Sequence, residues 1–131
     1  VPGEYELRSF LRLILGYTFL VELLGAIALY LWVFADAGVA SPAWHALFHS
    51  VSSFCTAGFA LFDDSFERYR AHEALNWIVI ALSVLGAIGF LVVNDLWLTL
   101  RQRRVHATLT TKIILASTTA IVGCGTLLFF L

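Results

Sequence analysis

Three apolar runs, each long enough to cross a lipid bilayer, limit how this chain can fold. They cover residues 13–35, 74–94 and 113–131. The hydrocarbon core of a membrane is roughly 30 Å thick and takes about 20 helical residues to span. With 60% hydrophobic and 13% charged residues, the chain also lies well outside the composition of soluble domains. The sequence therefore predicts an all-α, polytopic integral membrane protein.

The basic residues predict which side of the membrane each end of these runs faces. Arg8 and Arg12 precede the first run, and Arg101, Arg103, Arg104 and Lys112 separate the second run from the third. The connection over residues 36–73 carries more acidic than basic side chains. By the positive-inside rule, the N-terminus and the 100–112 loop are cytoplasmic and the 36–73 connection lies outside. We expect a multi-pass protein of the plasma (inner) membrane.

The outer connection contains an apolar segment of a different kind. Residues 43–62 are apolar enough to enter the bilayer, but the orientation of the flanking runs prevents them from crossing it. Ser41 is expected to cap a helix, and Pro42 suits its first turn. This pore helix should cover 43–54 and then break, since Gly58 can adopt backbone angles that other residues avoid. Irregular backbone at membrane depth must be buried in protein or line a water-filled path, which indicates a re-entrant pore loop.

A re-entrant loop of this kind can bind a cation through its backbone. Extended backbone after a half-helix can turn successive carbonyls toward one axis, where they replace the hydration shell of the ion. The C-terminal end of the helix adds a favourable negative potential. On this interpretation Ser50, Ser52 and Ser53 donate hydrogen bonds behind the ion-binding backbone and are not nucleophiles.

Three stretches of the chain together resemble one repeat of a transporter superfamily. The stretches are HSVSSFCTAGFALF, NWIVIALSVLGAIGFLVVNDLW and ATLTTKIIL. A pore helix that ends in small residues with a glycine, followed by a glycine-containing helix, resembles the second repeat of the Trk/Ktr/HKT superfamily of potassium and sometimes sodium transporters. The last stretch resembles the opening helix of the third repeat. Members of this superfamily carry four repeats of helix, pore loop and helix, and each repeat contributes one filter strand to a single pore.

The resemblance implies which residues form the selectivity filter. Gly58 corresponds to the filter glycine, and Cys55, Thr56 and Ala57 correspond to the positions that lend carbonyls to the ion. Cys55 departs from the pattern, in which asparagine is expected. Because carbonyls bind the ion, we expect this change to alter filter packing more than ion choice. The bound metal is then potassium, the transported substrate, and no cofactor is expected.

The resemblance also implies an organisation for the whole chain. Residues 1–104 correspond to one repeat, with an outer helix over about 9–35, the filter at 55–59 and an inner helix over about 74–99. Residues 105–131 correspond to the first helix of a following repeat. Since one repeat supplies a quarter of a filter, we expect the chain to be a segment of a longer protein. The implied partners are potassium or sodium ions, the lipid bilayer and the remaining repeats of the same chain. A homodimer that binds a cytosolic nucleotide-binding regulatory ring is also implied, whereas binding of nucleic acid is not.

Several polar and small residues have a structural as well as a functional interpretation. Glu22 lies in the middle of a span, where an ionisable group is costly, and a structural pair with a group from another repeat is favoured over ion binding. His45 and His49 have the i,i+4 spacing of a metal pair, but packing or capping of the pore helix is favoured. Gly86 and Gly89 give the inner helix a small face for close helix packing or gating.

These observations favour one class of function and leave a second open. The favoured function is uptake of a monovalent cation, potassium first and sodium second. The alternative is a non-transporting membrane scaffold whose re-entrant loop only packs a helix bundle. An intramembrane enzyme ranks last, because no Ser–His–Asp or Cys–His set stands at a convincing spacing.

The pore-loop interpretation predicts on which side of the membrane two positions lie. In the complete protein, with Cys55 and Cys124 changed to serine, Asp64→Cys and Arg103→Cys should react with a membrane-impermeant maleimide from opposite sides. The reason is that residues 43–62 enter the bilayer and return. Labelling of both positions from one side would mean that this segment crosses the membrane, and the pore-loop interpretation would then be wrong.

Overall fold

Every regular element that the structure describes is helical. The computed structural model describes residues 2–101 and 108–130, with side chains for 7–100 and 108–128. In this part of the chain the all-α class is confirmed. The elements are α1 (Pro2–Leu29), continued by a π-helical turn (Tyr30–Phe34), α2 (Pro42–Phe54), a 3₁₀ turn (Glu67–Tyr69), α3 (Glu73–Ile88), α4 (Phe90–Arg101) and α5 (Leu109–Phe130).

The helices belong to two compact units, one over residues 1–87 and the other over 88–131. The first unit contains α1, α2 and nearly all of α3, and the second contains α4 and α5. The repeat boundary predicted after residue 104, and the basic residues Arg103 and Arg104, lie outside the described residues.

Two helical stretches have the length and hydropathy needed to cross a membrane. They are Leu7–Phe34 and Leu109–Leu128, and α3 with α4 add a third if the two are counted as one broken span. Large apolar side chains on these helices are exposed, and Phe19, for example, has 75% of its surface exposed. Lipid or other helices can cover such side chains, so the expected polytopic membrane protein is confirmed.

The start of α2 differs from the sequence expectation. The helix begins at Pro42, whose missing N–H costs nothing in a first turn. The side-chain cap predicted for Ser41 is wrong, because Ser41 has φ +58° and ψ +63°, whereas capping side chains need extended backbone angles. The Ser41 carbonyl instead accepts the N–H groups of Trp44 (3.0 Å) and His45 (3.2 Å).

The inner helix is divided where the sequence predicts one helix over 74–99. Helix α3 ends at Ile88, α4 begins at Phe90, and Gly89 between them has φ +78°. This angle stops the helical hydrogen-bond pattern, and glycine adopts it without the penalty that a Cβ would bring. A Cβ at Gly89 would meet no described atom within 4 Å, so the backbone angle, not packing, favours glycine here.

Two glycines bring α1 and α3 into close contact with α2. A Cβ on Gly86 of α3 would overlap the carbonyl oxygen of Phe54 at the end of α2. A Cβ on Gly25 of α1 would lie 2.5 Å from Ser50 Oγ and 2.6 Å from Leu82 Cδ2. Such distances are too short for real contacts, so both positions require glycine, as is common where helices pack in membranes.

In the second unit, Asp95 of α4 holds the start of α5. Its Oδ2 accepts hydrogen bonds from the Thr108 N–H (2.9 Å), the Thr108 hydroxyl (3.0 Å) and the Thr111 hydroxyl. A carboxylate at a helix N-terminus pairs with free backbone donors and with the positive end of the helix dipole. Asp95 therefore fixes α5 to α4 across the loop that joins them.

The contact at Gly86 predicts a stability difference between two glycine variants. Gly86→Ala should destabilise the complete protein by about 1–3 kcal/mol through overpacking, although alanine otherwise favours a helix. Gly123→Ala is the matched control, since a Cβ there meets nothing within 4 Å. Thermal melting of the detergent-solubilised protein measures both. Equal melting temperatures for the two variants would contradict the close contact with Phe54.

Candidate functional site

The chain leaves α2 through a tight turn. Thr56, the first residue after the C-cap, is left-handed, with φ +51°. Its N–H donates to the Ser53 carbonyl (3.1 Å), and the Ala57 N–H donates to the Ser52 carbonyl (2.9 Å). These two bonds form a Schellman motif, whose left-handed position is usually glycine. A β-branched threonine in this conformation stores about 1–3 kcal/mol of strain.

Residues 55–58, the predicted filter, present free backbone oxygens. All four residues are exposed, and Gly58 has φ +72°, an angle suited to glycine. None of the hydrogen bonds found within 2–101 and 108–130 ends on a carbonyl of this stretch. Backbone carbonyls away from water need partners, so these four unpaired oxygens are available to a ligand.

Beyond Gly58, two side chains of α2 hold the returning chain. The Ser52 hydroxyl donates to the Phe59 carbonyl (2.7 Å). His49 Nε2 accepts the N–H of Leu61 (3.1 Å), while His49 Nδ1 donates to the His45 carbonyl (2.8 Å). Both ring nitrogens of His49 are thereby occupied within the protein, and neither is open to a metal.

His49 lies inside a cluster of aromatic rings and is fully buried. Its ring stacks on Phe62 at a centroid distance of 5.3 Å and an interplanar angle of 12°, and Phe34 lies 5.5 Å away. Phe66 packs against it at 4.8 Å. Burial among these rings disfavours the charged form of the imidazole. The ring must be neutral, because one of its nitrogens donates a hydrogen bond and the other accepts one.

Hydroxyl groups also join α2 to the helices on either side. Ser50 Oγ donates to the Glu22 carbonyl of α1 (2.7 Å), and Ser83 Oγ of α3 donates to the Ser53 carbonyl (3.1 Å). Ser52 therefore donates next to residues 55–58, whereas Ser50 donates to α1 and Ser53 contributes a backbone acceptor. The end of α2 is held in position from both sides.

The remaining candidates lie on α1, on α3 and at the break after α3. The Glu22 side chain is half-buried on α1, and no partner for its carboxylate occurs among the described residues. The pairing of Glu22 with a group from another repeat stays a prediction. Gly86 packs directly behind the end of α2, and Gly89 marks the break after α3.

Two residues that shape this site were not predicted from the sequence, and neither was the role of His49. Gly25 faces Ser50 and Leu82, and Phe34 lies at the centre of the aromatic cluster. The bridging role of His49 was also missed. The aromatic residues that follow the filter were an available signal for the cluster, but the partner of Gly25 depends on how the helices pack.

Comparison with known proteins identifies relatives along nearly the whole chain. The profile of the family described as TrkH, cation transport protein, matches residues 4–129. The Ktr system potassium uptake protein B of Vibrio alginolyticus is 33% identical over 129 residues, which are 98% of this chain and 28% of that protein. The potassium/sodium uptake protein NtpJ of Enterococcus hirae is 34% identical over 118 residues, 90% of this chain and 26% of that protein. The chain thus spans about a quarter of the length of these relatives.

The half-buried carboxylate of Glu22 predicts a loss of stability without a loss of ion preference. If Glu22 pairs with a group elsewhere in the complete protein, Glu22→Gln should lower the melting temperature, because removing one partner of a buried pair costs about 3 kcal/mol or more. The ratio of rubidium to sodium uptake should stay as in the wild type. A changed ratio at normal stability would instead assign Glu22 to ion binding.

Proposed function

The chain belongs to the TrkH family of cation transport proteins, and on that basis we propose that it forms one pore-loop repeat of a membrane protein that takes up monovalent cations. Potassium is the first candidate ion and sodium the second, in line with the potassium and potassium/sodium uptake named for the relatives. The observation that carries the proposal is that residues 55–58, directly after α2, are exposed and that their carbonyls accept no hydrogen bond from the described residues.

The proposed binding chemistry is electrostatic and uses the backbone. Carbonyl oxygens in a row replace the water molecules around a dehydrated cation. The C-terminal end of α2 adds roughly half a negative elementary charge next to them. Cys55 takes part through its carbonyl, and its thiol is free and exposed. Three strands from other repeats complete the ring, so residues 55–58 supply one quarter of it.

The proposed assembly follows the charge distribution and the family likeness. The N-terminus and the 100–112 loop face the cytoplasm, and the 36–73 connection faces outside. Residues 1–104 form one repeat, and 105–131 begin the next. Gly89 is the place at which the inner helix can change direction during gating. A homodimer that binds a cytosolic nucleotide-binding ring would complete the assembly.

A scaffold function accounts less well for the same residues. A loop that only packs a bundle gains from pairing its own carbonyls, because unpaired backbone groups away from water cost free energy. Residues 55–58 keep four carbonyls free although Ser52 and His49 pair with the backbone just beyond them. A cation supplies the missing partner.

The filter assignment predicts different outcomes for two serine variants. In the complete transporter, Gly58→Ser should weaken potassium selectivity or flux far more than Cys55→Ser. A Cβ at φ +72° costs about 1–2 kcal/mol and crowds the neighbouring strands, whereas Cys55→Ser keeps side-chain size and carbonyl position.

Uptake of rubidium and sodium by cells that lack other potassium systems measures both variants, with the amount of protein in the membrane as a control. Wild-type uptake by the Gly58→Ser variant would contradict the filter assignment. An equal loss in both variants would indicate misfolding.

A further inference from the structure

Ser52 and His49 hold the backbone immediately after the filter residues. Ser52 bonds the carbonyl of Phe59, and His49 bonds the N–H of Leu61. Both side chains come from the last two turns of α2 and are buried, Ser52 at 8% exposure and His49 at 0%. We call these two hydrogen bonds the filter clamp.

The Ser52 bond sets the direction of the carbonyl that follows residues 55–58. At 2.7 Å, the Phe59 carbonyl is directed toward α2 and its hydroxyl donor. The carbonyls of residues 55–58, by contrast, have no donor among the described residues. The Phe59 carbonyl is therefore bonded to α2, whereas the four carbonyls before it are not paired within the described residues.

The His49 bond is held from several directions. Its Nδ1 is anchored one turn back on the His45 carbonyl, which points Nε2 at Leu61. The surrounding rings restrict the side chain to one orientation, with Phe62 stacked at 5.3 Å. The N–H of Leu61 is thereby bonded to a side chain that is itself held in one orientation.

The turn that the clamp closes is strained. Thr56 has φ +51°, and such residues keep this conformation only when their surroundings enforce it. The Schellman bonds fix the near end of the turn, and the filter clamp fixes the far end. Without the far end, residues 55–58 could relax and rotate their carbonyls.

We propose that His49 and Ser52 are positioning residues, which set the direction of the four filter carbonyls and turn the next carbonyl, that of Phe59, toward α2. This inference rests on the proposed function of residues 55–58. It extends that function by assigning ion selectivity in this repeat to two buried side chains that do not touch the ion.

Matched variants in the complete transporter test the clamp. Ser52→Ala and Ser50→Ala each remove a hydroxyl that donates to a carbonyl at 2.7 Å, but only Ser52 bonds the filter strand. His49→Phe and His45→Phe place the same ring one turn apart in the same cluster, and only His49 bonds Leu61 through its side chain. His49→Gln restores an acceptor and a donor.

The measured quantity is the ratio of the KM values for rubidium and sodium, with membrane abundance and melting temperature as controls. Ser52→Ala and His49→Phe should reduce the preference about tenfold, the effect of one hydrogen bond lost at a binding site. Ser50→Ala and His45→Phe should change it less than about twofold, and His49→Gln should recover most of it. If His49→Phe does not reach the membrane, Ser52→Ala alone decides the test.

Three results would overturn the inference in different ways. Unchanged ratios for Ser52→Ala and His49→Phe, together with a loss in Gly58→Ser, would reject the clamp and keep the filter. A wild-type ratio in Gly58→Ser would reject the filter itself. Equal shifts in the clamp variants and their controls would show a general packing effect and would also reject the clamp.

Discussion

Hydrogen bonds between buried side chains of the helices and backbone carbonyls hold the end of α2, and the rest of residues 1–87 depends on them. In a membrane, lipid tails are as apolar as leucine side chains, so apolar burial alone does little to bring helices together. Ser50 joins α2 to α1, Ser83 joins α3 to α2, and Ser52 joins α2 to the chain after the filter. The short helix α2 is thereby kept in one place.

Four glycines of the chain have two different structural roles. Gly25 and Gly86 remove side-chain volume, which lets α1 and α3 approach α2 closely enough for hydroxyl groups to reach carbonyls. Gly58 and Gly89 have open space around them and positive φ angles, so they serve the backbone. A larger residue at Gly25 or Gly86 should disturb the packing of α1 and α3 on α2. A larger residue at Gly58 or Gly89 should alter the path of the backbone.

Hydrogen bonds hold the backbone on both sides of the stretch where the ion is proposed to bind. The turn after α2 satisfies the carbonyls of Ser52 and Ser53, and the filter clamp satisfies Phe59 and Leu61. The strain at Thr56 is enforced between these two sets of bonds. A cation in the proposed filter would supply the partners that residues 55–58 lack, so the same rule of backbone pairing accounts for stability and for binding.

The sequence by itself determined the all-α membrane class, the apolar spans and the family, because hydropathy and short motifs are local properties of a chain. It predicted a helix over 43–54 where the structure has Pro42–Phe54, and it singled out Gly58. Only the tertiary structure revealed the break at Gly89 and the filter clamp of His49 and Ser52. It also overturned the expected cap at Ser41. These features depend on which atoms meet across helices and turns, and neither composition nor spacing specifies such contacts.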